Sequence, residues 1–149
     1  MRAAADPEAE IRRLREGQYL DEAAADSIPA DAVKRFFQSE LGRRVLAAPR
    51  VLREYAFIDS VDAGELMDIA DAFAHEQVLV QGIADCVLLE ADGAVLIDYK
   101  TDRVSHADEL RQRYGAQLAF YRRSIEKRLG VPVKECLLWS FKLGEAVSL

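Results

Sequence analysis

The 149-residue sequence has few cysteines, with thiols at Cys86 and Cys136 alone. Two thiols cannot form a disulfide framework, an all-cysteine zinc site or a four-cysteine iron–sulfur cluster. The sequence also lacks an apolar run of the roughly 18–20 residues that span a bilayer, and its N-terminus lacks the apolar centre of a secretory signal. We therefore expect a protein of a reducing, cytoplasmic setting that does not associate with membranes.

Positive charge is in the minority as well. Lys and Arg together number 20 against 26 Asp and Glu, which gives a net charge of −6. This balance argues against a free-standing domain that holds nucleic acid by charge alone, but it is compatible with a nucleic-acid enzyme that uses bound cations. Half of the residues are apolar and 31% are charged, which is typical of one ordinary globular domain.

Hydrophobic periodicity predicts both helices and strands. Apolar residues three and four apart predict helices over about 6–16, 31–46 and 106–129. Alternating or continuous apolar residues predict strands over about 50–58, 78–90, 94–100 and 133–141, with 146–149 as a candidate fifth strand. Residues 59–76 are acidic and fit either a loop or a short helix.

The order of these elements predicts an α/β (α+β) fold. Three strands would form a meander, and a crossover helix would then return the chain to a parallel position beside the sheet. We expect one mixed central sheet of four or five strands, flanked by helices. Within one compact domain, residues 1–48 would form an N-terminal helical segment and residues 49–149 the core.

Polar residues interrupt the two most apolar strands. If Asp92-Gly93 is a two-residue turn, position 85 pairs with 100 and position 87 with 98. Because side chains alternate along a strand, Asp85, Asp98 and Lys100 would then share one face of a central hairpin. Glu54 on the preceding strand would join them if its register allowed.

Two carboxylates and an amine on a buried face require compensation. A carboxylate pair repels itself and is costly to desolvate, so it persists with a cation, a shared proton or a paired base. Oxygen ligands suit Mg²⁺ or Mn²⁺, and a lysine beside such an ion can orient a water or stabilise charge on a phosphate. The alternative is a structural Asp–Lys ion pair, and patterning alone does not decide between them.

A second polar feature lies on the long predicted helix. Gln117 and Tyr121 are four residues apart, so they share a helix face beside the apolar stripe. A glutamine there needs hydrogen-bond partners. The alternative is a satisfied core glutamine next to an ordinary core tyrosine.

Together these residues carry a family resemblance. Residues 82–85, residues 98–102, and Gln117 with Tyr121 follow in order the GxxD, DYKTD and QxxxY motifs. They resemble those of the RecB-type nucleases, which belong to the PD-(D/E)xK phosphodiesterase superfamily. The stretch VLVQGIADCVLLEADGAVLIDYKTDRV is particularly similar to the C-terminal nuclease domains of AddA-type (RexA-type) subunits of ATP-dependent helicase–nucleases. The resemblance covers most of the chain.

The resemblance implies a restriction-endonuclease-like core that hydrolyses phosphodiester bonds as an exonuclease. Asp85 and Asp98 would bind Mg²⁺ or Mn²⁺, and the backbone carbonyl of Tyr99 would add a ligand. Lys100 would position the attacking water and stabilise the transition state.

The remaining motif residues would shape the site. Gln117 and Tyr121 would orient the DNA strand or the lysine. Gly82 would allow close approach of backbone or substrate, although a strand bulge is the alternative explanation for a glycine there.

One departure from the family concerns histidine. Family members carry a metal-ligating His on a helix well upstream of the GxxD motif, whereas here His75 lies only ten residues before Asp85. His106 follows the DYKTD motif, and we expect it to be exposed. We therefore expect the chain to be a fragment of a longer subunit, poorly active or inactive because its ligand set is incomplete. There is no Walker A pattern, so ATP would act only through helicase domains outside this chain.

The resemblance also implies partners. The substrate would be DNA, single-stranded after unwinding, and the reaction would serve double-strand break repair and recombination. A second helicase–nuclease subunit of the AddB or RexB type would complete the enzyme. Two other interpretations stay open: a catalytically silent nuclease-fold module that docks a partner subunit or guides single-stranded DNA, and an unrelated α+β domain with a structural ion pair.

Overall fold

A computed structural model describes residues 6–65, 73 and 75–149 of the chain. The N-terminal part is helical, with α1 at Pro7–Glu16, α2 at Glu22–Ser27, α3 at Ala30–Gln38 and α4 at Glu40–Ala47. α1 begins as predicted, because the Asp6 carboxylate accepts the N–H of Ala9 and Pro7 occupies the first helical position. The short helix α2 was not predicted.

The single helix predicted over 31–46 is wrong, because Ser39 divides it into α3 and α4. Ser39 has an extended backbone, and its Oγ accepts the N–H of Gly42 at 3.0 Å, so that it caps α4. The chain turns so tightly that a Cβ on Gly42 would overlap the carbonyl oxygen of Phe36. Apolar residues continue across the break, and the pattern therefore predicted one helix.

The strands form one mixed sheet in the order β1-β2-β3-β4-β5. They span Arg50–Asp62 (β1), Gln77–Glu90 (β2), Gly93–Lys100 (β3), Val133–Ser140 (β4) and Glu145–Ser148 (β5). β3 and β4 are parallel, since helix α5, Ala107–Leu129, carries the chain back across the sheet, and the other neighbours are antiparallel. The predicted α/β (α+β) fold class, a mixed sheet flanked by helices, is confirmed.

The acidic segment predicted as a loop or short helix contains more strand than expected. β1 continues to Asp62, and a single turn of 3-10 helix follows at Ala63–Glu65. Residues 66–72 and 74 lie outside the described residues. Within the described part of the chain, the helices are too short or too polar to cross a membrane.

The β2–β3 hairpin closes one residue earlier than predicted. Glu90 pairs with Gly93 and Cys86 with Ile97, so the predicted pairing of position 85 with 100 and of 87 with 98 is wrong. The error is a shift of two residues, and a shift of two returns every side chain to its predicted face.

Gly93 explains the error. It is the first residue of β3 rather than part of the turn, and its φ of 145° lies in a region that favours glycine. A Cβ at this position would lie 2.7 Å from the carbonyl oxygen of Pro132. The glycine is therefore required for the approach of the chain that enters β4.

Each face of the sheet has its own apolar core. Leu118 of α5 and Leu96 of β3 belong to the cluster on one face, whereas Ile97 belongs to the cluster formed with α3 and α4 on the other. Alternate residues of β3 therefore face different helices. By this alternation, the next polar residues of the strand, Asp98 and Lys100, lie on the α5 side.

Candidate active site

Asp98 and Lys100 form an ion pair at the C-terminal end of β3. Oδ2 of Asp98 lies 2.7 Å from Nζ of Lys100, and the two side chains are only 7% and 16% exposed. Removal from water raises the pKa of the Asp98 carboxyl above its ordinary value, and the adjacent ammonium only partly offsets this rise. Further positive charge would therefore stabilise the carboxylate.

Oδ2 of Asp98 has a cation as its partner. This buried oxygen lies 2.7 Å from the Lys100 ammonium, and among the described residues no neutral donor bonds it. A carboxylate oxygen can accept from more than one partner. A second cation beside this oxygen would therefore also be stabilised.

Asp85 lies where β2 and β3 separate. The two strands pair as far as Cys86 and Ile97, and one residue further Oδ2 of Asp85 accepts the backbone N–H of Tyr99 at 2.8 Å. The charge of Asp85 adds to the rise in the pKa of Asp98, so the two carboxylates interact. Because the N–H and C=O of an extended residue point the same way, the Tyr99 carbonyl also faces this gap.

An unusual backbone accompanies the separation. Glu54, the residue of β1 across from Asp85, has a φ of 49°, a left-handed conformation that non-glycine residues rarely adopt. Leu52 and Tyr55 both contribute to the α5-side core, although simple alternation would place them on opposite faces. The same is true of Ala84 and Val87 in β2. The alternation of side chains between the two faces is therefore interrupted in both strands, at Glu54 in β1 and at Asp85 in β2.

The Glu54 side chain itself is exposed. The hydrogen bonds and ion pairs of the described residues do not join it to Asp98 or Lys100. Its participation in the site stays a prediction.

Gln117 and Tyr121 lie on α5 as predicted and contact each other. The Gln117 amide donates to the Tyr121 hydroxyl at 3.3 Å. Gln117 is exposed, so it is not a core glutamine, while Tyr121 is partly buried against the α5-side core. The described hydrogen bonds do not join Gln117 to the carboxylates or to Lys100.

Gly82 is connected to Tyr121 through Phe57. A Cβ on Gly82 would overlap the ring of Phe57, which lies over the glycine on the neighbouring strand. The same ring meets Tyr121 edge-on, with centroids 5.0 Å apart and planes at 88°. The close approach predicted for Gly82 is therefore made by a side chain of β1. The first and third motifs share this contact.

Two residues of the site were not predicted as functional. Nζ of Lys100 lies 4.0 Å from the centroid of the Tyr114 ring, and the Tyr114 hydroxyl donates to Oδ1 of Asp102 at 2.7 Å. This hydrogen bond lowers the pKa of Asp102 and raises that of Tyr114. Asp102 could have been found from its place at the end of DYKTD. Tyr114 gave no separate signal, because it belongs to the apolar stripe of α5.

Neither histidine lies beside Asp85 or Asp98. His75 is 90% exposed, and its Nδ1 lies 3.3 Å from Oδ2 of Asp62 at the loop end of the β1–β2 hairpin. His106 is exposed, as predicted, and precedes the first turn of α5, where Glu109 accepts its backbone N–H.

The donor atoms at the gap are suited to a hard cation. They are the carboxylates of Asp85 and Asp98 and the carbonyl of Tyr99, all oxygen ligands of the kind that Mg²⁺ prefers. In the described part of the chain, His, Cys, Asp and Glu side chains do not gather in groups of three or more that could hold a metal. Two carboxylates and one carbonyl nevertheless fit an ion that keeps several water ligands.

Comparison with known proteins gives a family match over nearly the whole chain. Residues 2–146 match the model of the PD-(D/E)XK nuclease superfamily. Proteins named as subunits of an ATP-dependent helicase/nuclease are similar to the chain. The one from Geobacillus kaustophilus (strain HTA426) is 40% identical over 94% of this chain and 12% of its own length.

Two further relatives agree. Proteins of the same name from Pelotomaculum thermopropionicum and Bacillus mycoides (strain KBAB4) are 40% and 36% identical over 85% and 94% of this chain. The matches cover 10% and 12% of those proteins. The chain therefore spans only a small part of the relatives that it matches.

Proposed function

This chain belongs to the PD-(D/E)XK nuclease superfamily, and we propose that it is the nuclease domain of an ATP-dependent helicase–nuclease of the AddA (RexA) type. It would cleave phosphodiester bonds of DNA as an exonuclease during double-strand break repair and recombination. The observation that carries the proposal is the buried Asp98–Lys100 pair next to Asp85 in the gap between β2 and β3.

Nucleases of this superfamily generally use divalent metals. We propose Mg²⁺, or Mn²⁺ in its place, held by the Asp85 and Asp98 carboxylates and the Tyr99 carbonyl. When bound, such an ion supplies positive charge that stabilises the charge developing on the phosphate oxygens. Its presence would also relieve the repulsion between the two carboxylates.

Lys100 acts on the water and on the phosphate. Its ammonium carries three N–H donors, and one of them is directed at the Asp98 carboxylate. A remaining donor holds the attacking water beside the phosphate, and the positive charge stabilises the transition state. The burial of the pair supports this role, because electrostatic interactions are stronger away from water.

Gln117 and Tyr121 would contact the DNA strand. Their side chains are joined by a hydrogen bond, and the amide is exposed on α5. An exposed amide can donate to a phosphate or a base. The Phe57 ring would keep Tyr121 in place through its edge-on contact.

The domain would work as part of a larger assembly. We propose that residues 1–48 form a helical segment that supports the core at residues 49–149. We further propose that a metal-ligating His lies outside this chain, which would leave the chain alone poorly active or inactive. The partner would be of the AddB or RexB type, helicase domains would use ATP, and unwinding would deliver single-stranded DNA in the cytoplasm.

The test is cleavage of an end-labelled single-stranded oligonucleotide by the complete protein with Mg²⁺ or Mn²⁺. Asp98→Asn and Lys100→Met should each reduce cleavage at least about a hundredfold, because the first removes a proposed metal ligand and the second removes positive charge beside the reacting phosphate. Asp31→Asn and Lys34→Met, exposed on α3, are matched controls that should leave cleavage unchanged. Undiminished cleavage in the first pair would remove the assigned site. Absence of cleavage in the complete protein would favour the docking module.

A further inference from the structure

The ammonium of Lys100 is held on two sides. Oδ2 of Asp98 lies 2.7 Å away, and the centroid of the Tyr114 ring lies 4.0 Å away. An ammonium over the face of a tyrosine ring is attracted by the negative charge of the π system. Contact with both groups leaves the lysine side chain only 16% exposed.

Tyr114 is itself anchored. Its hydroxyl donates to Oδ1 of Asp102 at 2.7 Å, and the same oxygen lies 3.4 Å from Nη1 of Arg113. Asp102 follows Lys100 by two residues, so the hydrogen bond ties α5 to the chain directly after the lysine. Asp102 therefore holds the ring that faces Lys100.

This anchoring matters because lysine is flexible. Four rotatable bonds separate its ammonium from the backbone, and a lysine that moves between rotamers is in the reactive position for only part of the time. A catalytic group that is already in place loses no rotational freedom when the reaction occurs. We propose that Tyr114 and Asp102 are positioning residues that hold the Lys100 ammonium beside Asp98, an inference that rests on the proposed nuclease function.

The competing explanation is packing. Tyr114 is partly buried and touches the α5-side core, so a variant could lose activity merely because α5 is displaced. A packing role predicts that any loss of activity follows loss of stability. A positioning role predicts that turnover falls while stability and DNA affinity are retained.

The decisive variants separate the ring from the hydroxyl. In the complete protein, Tyr114→Leu should lower kcat about tenfold, because it removes the ring, with KM for single-stranded DNA unchanged. Tyr114→Phe keeps the ring, and Asp102→Ala removes its anchor, so each should lower kcat about threefold, and the double variant should be no worse than either. Tyr19→Leu, at an exposed tyrosine, is the control.

A second readout does not depend on activity. Reductive methylation followed by mass spectrometry measures how accessible each lysine is, with the exposed Lys34 as internal reference. Lys100 should react slowly in the native protein and in Tyr114→Phe, and several-fold faster in Tyr114→Leu.

The results distinguish failure of the inference from failure of the proposed function. If native protein cleaves DNA and Lys100→Met does not, the proposed function holds and the Tyr114 variants test the inference. Unchanged kcat and unchanged Lys100 labelling in Tyr114→Leu would overturn it. A fall in kcat matched by lower thermal stability, or additive effects in the double variant, would also overturn it in favour of packing.

Discussion

The backbone N–H of Tyr99 donates to Oδ2 of Asp85 at 2.8 Å, just beyond the last pair of the β2–β3 ladder, Cys86 with Ile97. The carboxylate thus occupies the place of the carbonyl of Ala84, which a continued ladder would set opposite Tyr99. It satisfies a backbone donor that would otherwise be unpaired where the strands separate. One side chain therefore ends the ladder and borders the proposed metal site.

These two roles of Asp85 can be separated. Asp85→Asn keeps an oxygen acceptor for Tyr99 and should change the metal-free melting temperature little, whereas Asp85→Ala should cost about 1 kcal/mol. We expect Mn²⁺ to raise the melting temperature of the native protein, because ligand binding to the folded state stabilises it, and both variants should abolish this rise. Thermal melts with and without Mn²⁺ measure both effects. A full Mn²⁺ response in Asp85→Asn would show that this carboxylate is not a ligand.

Gly82→Ala tests the contact between the first and third motifs. The new methyl group would overlap the Phe57 ring, so we expect a loss of about 1–3 kcal/mol in the free energy of unfolding. Phe57→Leu in the same chain should recover part of this loss, because a smaller side chain leaves room for the methyl. Urea unfolding of the native protein, both single variants and the double variant gives the coupling. Additive effects would contradict the contact.

Arg44 joins α4 to the far end of the sheet and makes stability depend on pH. Its guanidinium donates to Glu90 at 2.8 and 3.0 Å and to Glu135 at 2.7 and 3.0 Å. Hydrogen bonds from Arg44, aided by Lys134, lower the pKa of Glu90 from 4.5 to about 2. Because the folded pKa lies below the unfolded one, this stabilisation is complete above about pH 4.5 and disappears as the pH falls towards 2.

Arg44→Met should therefore lower the free energy of unfolding by about 1–2 kcal/mol at neutral pH, a value reduced for partial solvent screening. The difference from the native protein should shrink as the pH approaches 2. Urea unfolding at several pH values measures it, with Arg50→Met, at an exposed arginine of β1, as control. A difference that stays constant down to the lowest pH would argue against the ion pair as its source.

Ser39→Ala tests the division between α3 and α4. Loss of the hydroxyl that caps α4 should cost about 1 kcal/mol. The Ser39 hydroxyl also donates to the carbonyl of Phe36, three residues earlier. Ser27→Ala is the matched control, because that hydroxyl donates in the same way to Ala24 but caps no helix. It should change stability by less than about 0.5 kcal/mol. Equal effects of the two substitutions in thermal unfolding would contradict the capping role.

The sequence predicted correctly which face of the sheet carries Asp98 and Lys100, but it predicted the wrong residue pairs between β2 and β3. The grouping of Asp98 and Lys100 on one face survived the register error, because strand side chains repeat every two residues. The predicted turn is wrong because it includes Gly93 as a turn residue. A glycine is needed there because the Pro132 carbonyl, distant in sequence, comes close to it.

Tyr114 and Ser39 show what pattern alone could not supply. The ring of Tyr114 meets Lys100 only because α5 crosses β3 at that point, and its sequence position fits a core residue equally well. At Ser39 the apolar spacing continues although the backbone breaks. In both cases the decisive fact is a three-dimensional contact that hydrophobic periodicity does not encode.

The reversal of both strands at Glu54 and Asp85 sets the outer part of the β1–β2 hairpin apart from the part that borders the proposed metal site. Phe57 and Asp59 attach this outer part to α5, the latter through Ser124 and Lys127. Residues added in matched pairs beyond this attachment should therefore lengthen the hairpin while Asp85 keeps its position.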